Sequence, residues 1–178
     1  MVSPLDTVIE SDRLRLVPTS EAHAEDILRE FTAEITAYMF PKSPDSLDEV
    51  LTFIRGARER MRDARDLTVA VLDKHTGEYL GNGGVHELDG DTPELGIWLK
   101  KGAHGHHYGR EAVTALVRWA ERNVTYRYLI YPVDRRNVSS RKIPESLGGL
   151  IEAEYEQTGG GGQKLSLLEY RIYPPANE

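Results

Sequence analysis

The stretch Glu94-Leu-Gly-Ile-Trp-Leu-Lys-Lys-Gly-Ala-His-Gly-His-His-Tyr-Gly-Arg-Glu-Ala-Val113 decides how the rest of the chain is read. Leu95, Ile97 and Leu99 alternate with Gly96 and Trp98, and that alternation predicts a strand. Gly102, Gly105 and Gly109 mark a loop. Ala112, Val113, Leu116, Val117 and Ala120 then recur at helical spacing, which predicts a helix over 109–123. A strand, a glycine loop and a helix together present backbone N–H groups to an anion. The first helical amides have no partner in the chain, and the helix dipole adds positive potential there. The expectation is a loop that holds the pyrophosphate of a cofactor.

Composition bounds what surrounds this stretch. A chain of 178 residues, 39% hydrophobic and 29% charged, suits a single domain over 1–178 with a sizeable core. It has no apolar run long enough for a transmembrane helix, and its N-terminus lacks the basic and apolar regions of a signal peptide, so no membrane and a cytoplasmic location are expected. The chain has no cysteine, hence no thiol nucleophile and no zinc–thiolate site. A formal net charge of −7 argues against a partner such as nucleic acid, whose binding requires phosphates to be neutralised. It mildly favours cationic substrates, though it is also ordinary for a soluble chain.

Taken in order, residues 12–18 alternate as a first strand, and Thr19 and Ser20 can cap a short helix over Glu21–Phe31. Residues 36–46 form a loop rich in aromatic and Met residues. There Tyr38, Met39 and Phe40 either cap a core or line an acceptor pocket. Ser46 caps a second helix, with Glu49 as its capping-box partner; this helix runs to about Arg62 and buries Val50, Leu51, Ile54 and Met61. Strands are predicted at 67–73 and 78–88, at the opening stretch from 94, and at 126–133. A helix over 138–147 contains Pro144, which falls in its first turns if the helix starts near Arg141. Strands at 150–157 and 165–173 flank a flexible glycine loop, Thr158–Gln163. This order predicts an α+β fold with a mostly antiparallel sheet of about seven strands.

The same motifs resemble the GNAT superfamily of N-acetyltransferases, in the RimJ/RimL-like branch of ribosomal-protein N-terminal acetyltransferases. Ile9-Glu-Ser-Asp-Arg-Leu-Arg-Leu resembles that branch's opening strand and Tyr79-Leu-Gly-Asn-Gly-Gly its third. Glu94-Leu-Gly-Ile-Trp-Leu resembles its fourth strand, and Tyr108-Gly-Arg-Glu-Ala the start of its cofactor helix. Asn137-Val-Ser-Ser-Arg-Lys-Ile with Ser146-Leu-Gly-Gly resembles its last helical motif. The resemblance implies a three-layer fold with a twisted sheet, the fourth and fifth strands splayed, and helices on both faces. One motif departs. The family loop is Gln/Arg-x-x-Gly-x-Gly/Ala, and here it reads His104-Gly-His-His-Tyr-Gly109, with His107 in place of the central glycine. A histidine there either weakens cofactor binding or is tolerated with a negative φ. Replacing His107 by Gly is expected to keep or improve coenzyme A affinity.

The resemblance implies a direct transfer of acetyl from acetyl-CoA to a primary amine, on a peptide N-terminus or a small molecule, with no covalent enzyme intermediate and no metal. It implies that the backbone at Ile97, Trp98 and Leu99 meets the pantetheine arm and that Asn137 hydrogen-bonds it. The amides of Gly105, His106, His107, Tyr108, Gly109 and Arg110 would take the pyrophosphate, with an added charge from Arg110, and His104 at the head of the loop is a further cofactor-binding candidate. Ser140 would hydrogen-bond or protonate the departing thiolate, unless Ser139 or Ser140 serves as a helix cap. Glu94 is either the general base or a solvated strand-end carboxylate. Where some relatives carry a carboxylate, near the end of the sixth strand, this chain has Gly159. His86 can face the cleft, and with Tyr38 and Phe40 it is a candidate to bind the acceptor. Other outcomes are a transferase using a longer acyl-CoA and a non-catalytic CoA-binding module. His104, His106 and His107 can trap a metal adventitiously but lack a second set of ligands. A homodimer is compatible with the resemblance, and no sequence feature decides it.

Overall fold

In the computed structural model, which describes residues 2–176, eight strands form one sheet in the order β1-β2-β3-β4-β5-β6-β8-β7. The elements are β1 (Ile9–Glu10), β2 (Leu14–Pro18), α1 (Ala24–Glu30), α2 (Leu47–Arg62), β3 (Leu67–Asp73), β4 (Tyr79–His86), β5 (Glu94–Leu99), α3 (Tyr108–Asn123), β6 (Leu129–Asp134), α4 (Val138–Ser146), β7 (Leu150–Thr158) and β8 (Lys164–Ile172). The sheet has one strand more than expected. Ile9 and Glu10 pair with Leu16 and Arg15 at its edge, a run too short to show an alternation.

α2 starts as expected. Ser46 Oγ accepts from the Glu49 amide at 3.2 Å, while Glu49 reaches back to the amide of Asp45 at 3.0 Å. Leu51, expected in the core, is only partly buried. α4 starts at Val138, so Pro144 lies within the helix rather than in its first turns. Its ring removes one intrahelical hydrogen bond, and the helix stops two residues later, with the Pro144 carbonyl accepting from Leu147 and Gly149. The Thr158–Gln163 loop is not loose. Gly159 donates to Gln163 O and Gly162 to Gly159 O, closing a tight turn. Gly160 N donates to Phe40 O at 2.6 Å, and Gln163 Nε2 to Met39 O at 2.9 Å. The loop over 36–46 and the glycine loop are thus stapled together.

Both faces of the sheet are covered. α3 packs Val113, Leu116 and Ala120 against Leu14, Val69, Val85 and Leu129. On the other face Ile27 of α1 and Val50 and Ile54 of α2 pack against Ala70 and Tyr79.

β5 and β6 are parallel and share a single registered pair, Glu94 with Ile130. Ile130 N donates to Pro93 O at 2.9 Å. Two residues on, the strand turns the same edge toward β5, but Pro132 has no N–H to give. The ladder stops there and the strands part.

Candidate active site

The gap between β5 and β6 opens into a cavity of about 660 Å³. Glu94, Ile97, Trp98, Asn137, Ser140, Tyr38, Phe40 and His86 all line it. Leu99 and the loop 104–110 lie beyond its rim.

Backbone alternation decides what β5 offers to the gap. Lys100 N donates to Leu80 O at 2.8 Å, and the Trp98 carbonyl lies so close to Gly81 that a Cβ there would be 2.1 Å from it. Even-numbered residues therefore turn their peptide groups toward β4, and the odd ones, Ile97 and Leu99, face the gap. Trp98 offers the gap no backbone, contrary to expectation; its indole stacks on Phe31, ring centroids 4.4 Å apart. The Leu99 carbonyl is already in contact with His104 Nε2 at 2.9 Å.

α3 begins at Tyr108, and the amides of residues 105–110 have no acceptor among the described residues. Gly105 (φ +82°) and His107 (φ +61°) both adopt left-handed conformations, which curl these amides into a concave row. Of the two readings of His107, tolerance through a negative φ is ruled out by its φ of +61°. A side chain is held there where glycine is the relaxed choice. His107→Gly should therefore raise stability by up to about 1 kcal/mol and leave coenzyme A affinity equal or better, by calorimetry and thermal melts. The three imidazoles do not converge. His104 turns back on Leu99 and His106 leans on Tyr108. Arg110 points away, with His107, into a shallow cavity on the outer side of α3.

The first turn of α3 is anchored by Glu111. It accepts from Ser11 Oγ at 2.6 Å, from the Arg13 amide at 2.8 Å and from Arg13 Nε at 2.7 Å. Burial pushes this carboxyl up, but those hydrogen bonds prevail and hold it below its ordinary value. Arg13 in turn lies over the Tyr108 ring, 4.4 Å from its centroid. The N-terminal segment and the start of α3 are thus one bonded unit. Glu111→Ala should cost about 2 kcal/mol in thermal or urea unfolding and weaken coenzyme A binding through the loosened turn.

Glu94 is inside the cavity, not a solvated strand end. Burial raises its carboxyl above the ordinary glutamate value, with facing His86 pulling the other way. His86 pairs across the strands with Glu94 and holds Nδ1 3.4 Å from Asp66 Oδ2. Burial also pushes Asp66 up, but His86, Arg60 and the Glu87 amide outweigh it and keep it well below the usual carboxylate range. Nothing in the spacing of Asp66 and His86 announces this contact, which depends on the register of β3 and β4.

On the far side of the gap, Asn137 rather than a serine caps α4, its Oδ1 accepting from the Ser140 amide at 3.3 Å. Ser140 Oγ is left to pair with Tyr131 OH at 2.7 Å. Burial pushes the Tyr131 hydroxyl up to about 12, so it stays protonated. Tyr131 was missed from sequence because it alternates with Leu129 and Val133 as an ordinary core residue would. Glu154 of β7 is engaged with Arg135 at 2.8 Å and does not line the cavity. Among the described residues no three His, Asp or Glu side chains form a group able to hold a metal, and no helix is long and apolar enough to cross a membrane.

Residues 13–149 match the family model described as an acetyltransferase (GNAT) domain. No curated protein matches the sequence. RimL, a ribosomal alpha-N-protein acetyltransferase solved in complex with coenzyme A, superposes with a TM-score of 0.82 at 16% identity, over 96% of this chain and 100% of that one. A GNAT-family acetyltransferase from Bacillus anthracis gives 0.80 at 16% identity, over 94% and 98% of the two chains. A GCN5-related N-acetyltransferase from Brucella melitensis gives 0.76 at 18% identity, over 96% and 80%. At these identities the likeness concerns the fold.

Proposed function

The chain belongs to the GNAT acetyltransferase domain family, and from that premise we propose that it moves an acetyl group from acetyl-CoA directly to a primary amine within a ternary complex. The observation that carries the reading is the row of unpartnered amides at 105–110, set beside a strand gap that opens on Glu94 and Ser140. Six N–H donors and a helix N-terminus suit a pyrophosphate. The gap-facing Ile97 peptide group, the Leu99 N–H and the Asn137 side chain suit the amides of a pantetheine arm. Arg110 joins this contact through its amide, while its side chain lines the cavity on the outer side of α3.

Glu94 takes a proton from the ammonium form of the acceptor, freeing the nitrogen lone pair. The nitrogen attacks the acetyl carbonyl carbon; the C–N bond forms and the C–S bond breaks. The departing sulfur takes a proton from the Ser140 hydroxyl as Tyr131 shares its own with Ser140, the second proton shed by the nitrogen restores that pair, and Glu94 releases the proton it took to solvent. The sum is ammonium plus acetyl-CoA giving amide, CoA thiol and one proton. A cytoplasmic location, and a peptide N-terminus or small amine as acceptor, belong to the same proposal. Mass spectrometry across a panel of amines tests it. One acceptor should gain the mass of a single acetyl group; the protein itself should gain none, since an acetylated enzyme would mean a different mechanism.

A further inference from the structure

The cavity that holds Glu94 extends from the strand gap to residues 35–44, where its lining is mostly apolar. Its walls there are Phe31, Ile35, Met39, Phe40, Val50 and Phe53. Phe40 and Phe53 are 55% and 52% exposed, large rings left in water at the edge of a concavity. The roof is preformed, because Gly160 and Gln163 pin the backbone of Thr36, Met39 and Phe40.

The floor is bare. Gly84 and Gly96 pair across β4 and β5 on the face that carries His86, Glu94 and Trp98. A Cβ at Gly84 would lie 2.5 Å from the Leu67 carbonyl, so the fold requires that glycine. A Cβ at Gly96 would meet nothing nearer than His86 Nε2 at 3.5 Å, so packing does not require this one. The space above Gly96 is free for another molecule.

Charge narrows what that molecule is. Glu49 and Glu94 line the cavity, and the one Lys or Arg among the described residues that line it, Lys42, is paired with Asp45 at 2.6 Å. The site attracts an ammonium and, among the described residues, offers no free Lys or Arg to a carboxylate.

We infer that the acceptor is an α-amine beside a large apolar side chain, with its carboxyl masked as an amide, as at the N-terminus of a peptide led by Leu or Phe. The ammonium meets Glu94, and the side chain crosses the floor at Gly96 to lie between Phe40 and Phe53. The inference rests on the acetyltransferase reading above and names its acceptor.

The test uses tripeptide amides that differ only at the first residue, Leu, Phe, Ser or Asp, with free leucine and spermidine beside them. CoA thiol release gives kcat/KM for each. The Leu- and Phe-led peptides should exceed the Ser-led one about tenfold or more, and the Asp-led peptide and free leucine should be slowest. Phe53→Ser, at an exposed position that should leave the melting temperature unchanged, should erase most of the Leu-over-Ser ratio. Gly96→Ala should lower the Leu- and Phe-led rates more than the Ser-led rate. A Ser-led peptide or spermidine turning over as fast as the Leu-led one overturns the inference and leaves the acetyltransferase reading standing, as does a ratio that Phe53→Ser does not change. Release from no acceptor defeats the acetyltransferase reading and this inference with it.

Discussion

Glu94→Gln should lower kcat/KM by roughly 100-fold or more, the usual contribution of a positioned general base. Coenzyme A affinity should hold, because the amides of 105–110 and the gap edge of β5 do not depend on this side chain. The pH profile separates a base from a mere contact. Burial raises the Glu94 carboxyl, so the wild-type rate should climb as pH rises through a value above the ordinary glutamate pKa of about 4.3. In Glu94→Gln that limb should vanish, leaving only the rise that comes from the acceptor's own amine. An unchanged acidic limb in the variant would assign the proton transfer elsewhere, with His86, the partner of Glu94 across the strands, the next residue to test.

Asp134→Ala should have the largest effect on stability. Asp134 is fully buried at the end of β6. Its carboxylate accepts from the Arg136 amide, Nε and Nη2 and from the Ser166 amide. Removing it leaves two backbone donors without a partner and frees the turn that places Asn137. The expected cost is about 3 kcal/mol, or a fall in Tm of about 6–12 °C. The hydrogen bonds from Arg136 hold this carboxyl down at about 2, against about 3.9 in the unfolded chain. The folded pKa is the lower one, so the stabilisation is fully present above the unfolded value and is lost as pH falls from about 4 through 2. Urea unfolding of the wild type should show that loss. Asp134→Asn keeps the shape and loses the charge, so its stability should vary less over the same range.

The fold was legible because its strongest elements are periodic. The strand from Glu94 and the helix over 109–123 appear within a residue of where the alternation and the helical spacing placed them. Ser46 and Glu49 placed the start of α2 through capping chemistry. What escaped was set by register and closure. Two-residue β1 has no period to read. Pro132 is visible in the sequence, but only the pairing of Ile130 with Pro93 shows that its missing N–H falls on the β5 side and opens the gap. The glycine run 158–163 suggested a mobile loop; its own turn hydrogen bonds and those to residues 36–40 make it a staple. His107 was legible as a departure, yet its backbone conformation was not, because a single residue type does not fix φ. Asp66 and Tyr131 each act through a partner brought close by the sheet or by α4, and no local spacing connects them.

Direct acetyl transfer between two bound substrates has a kinetic signature in the initial rate of CoA thiol release, with acetyl-CoA and an amine varied against each other. No release is expected with either substrate alone, and the double-reciprocal lines should intersect, as sequential addition requires. Parallel lines, or release from acetyl-CoA with no amine present, would contradict it.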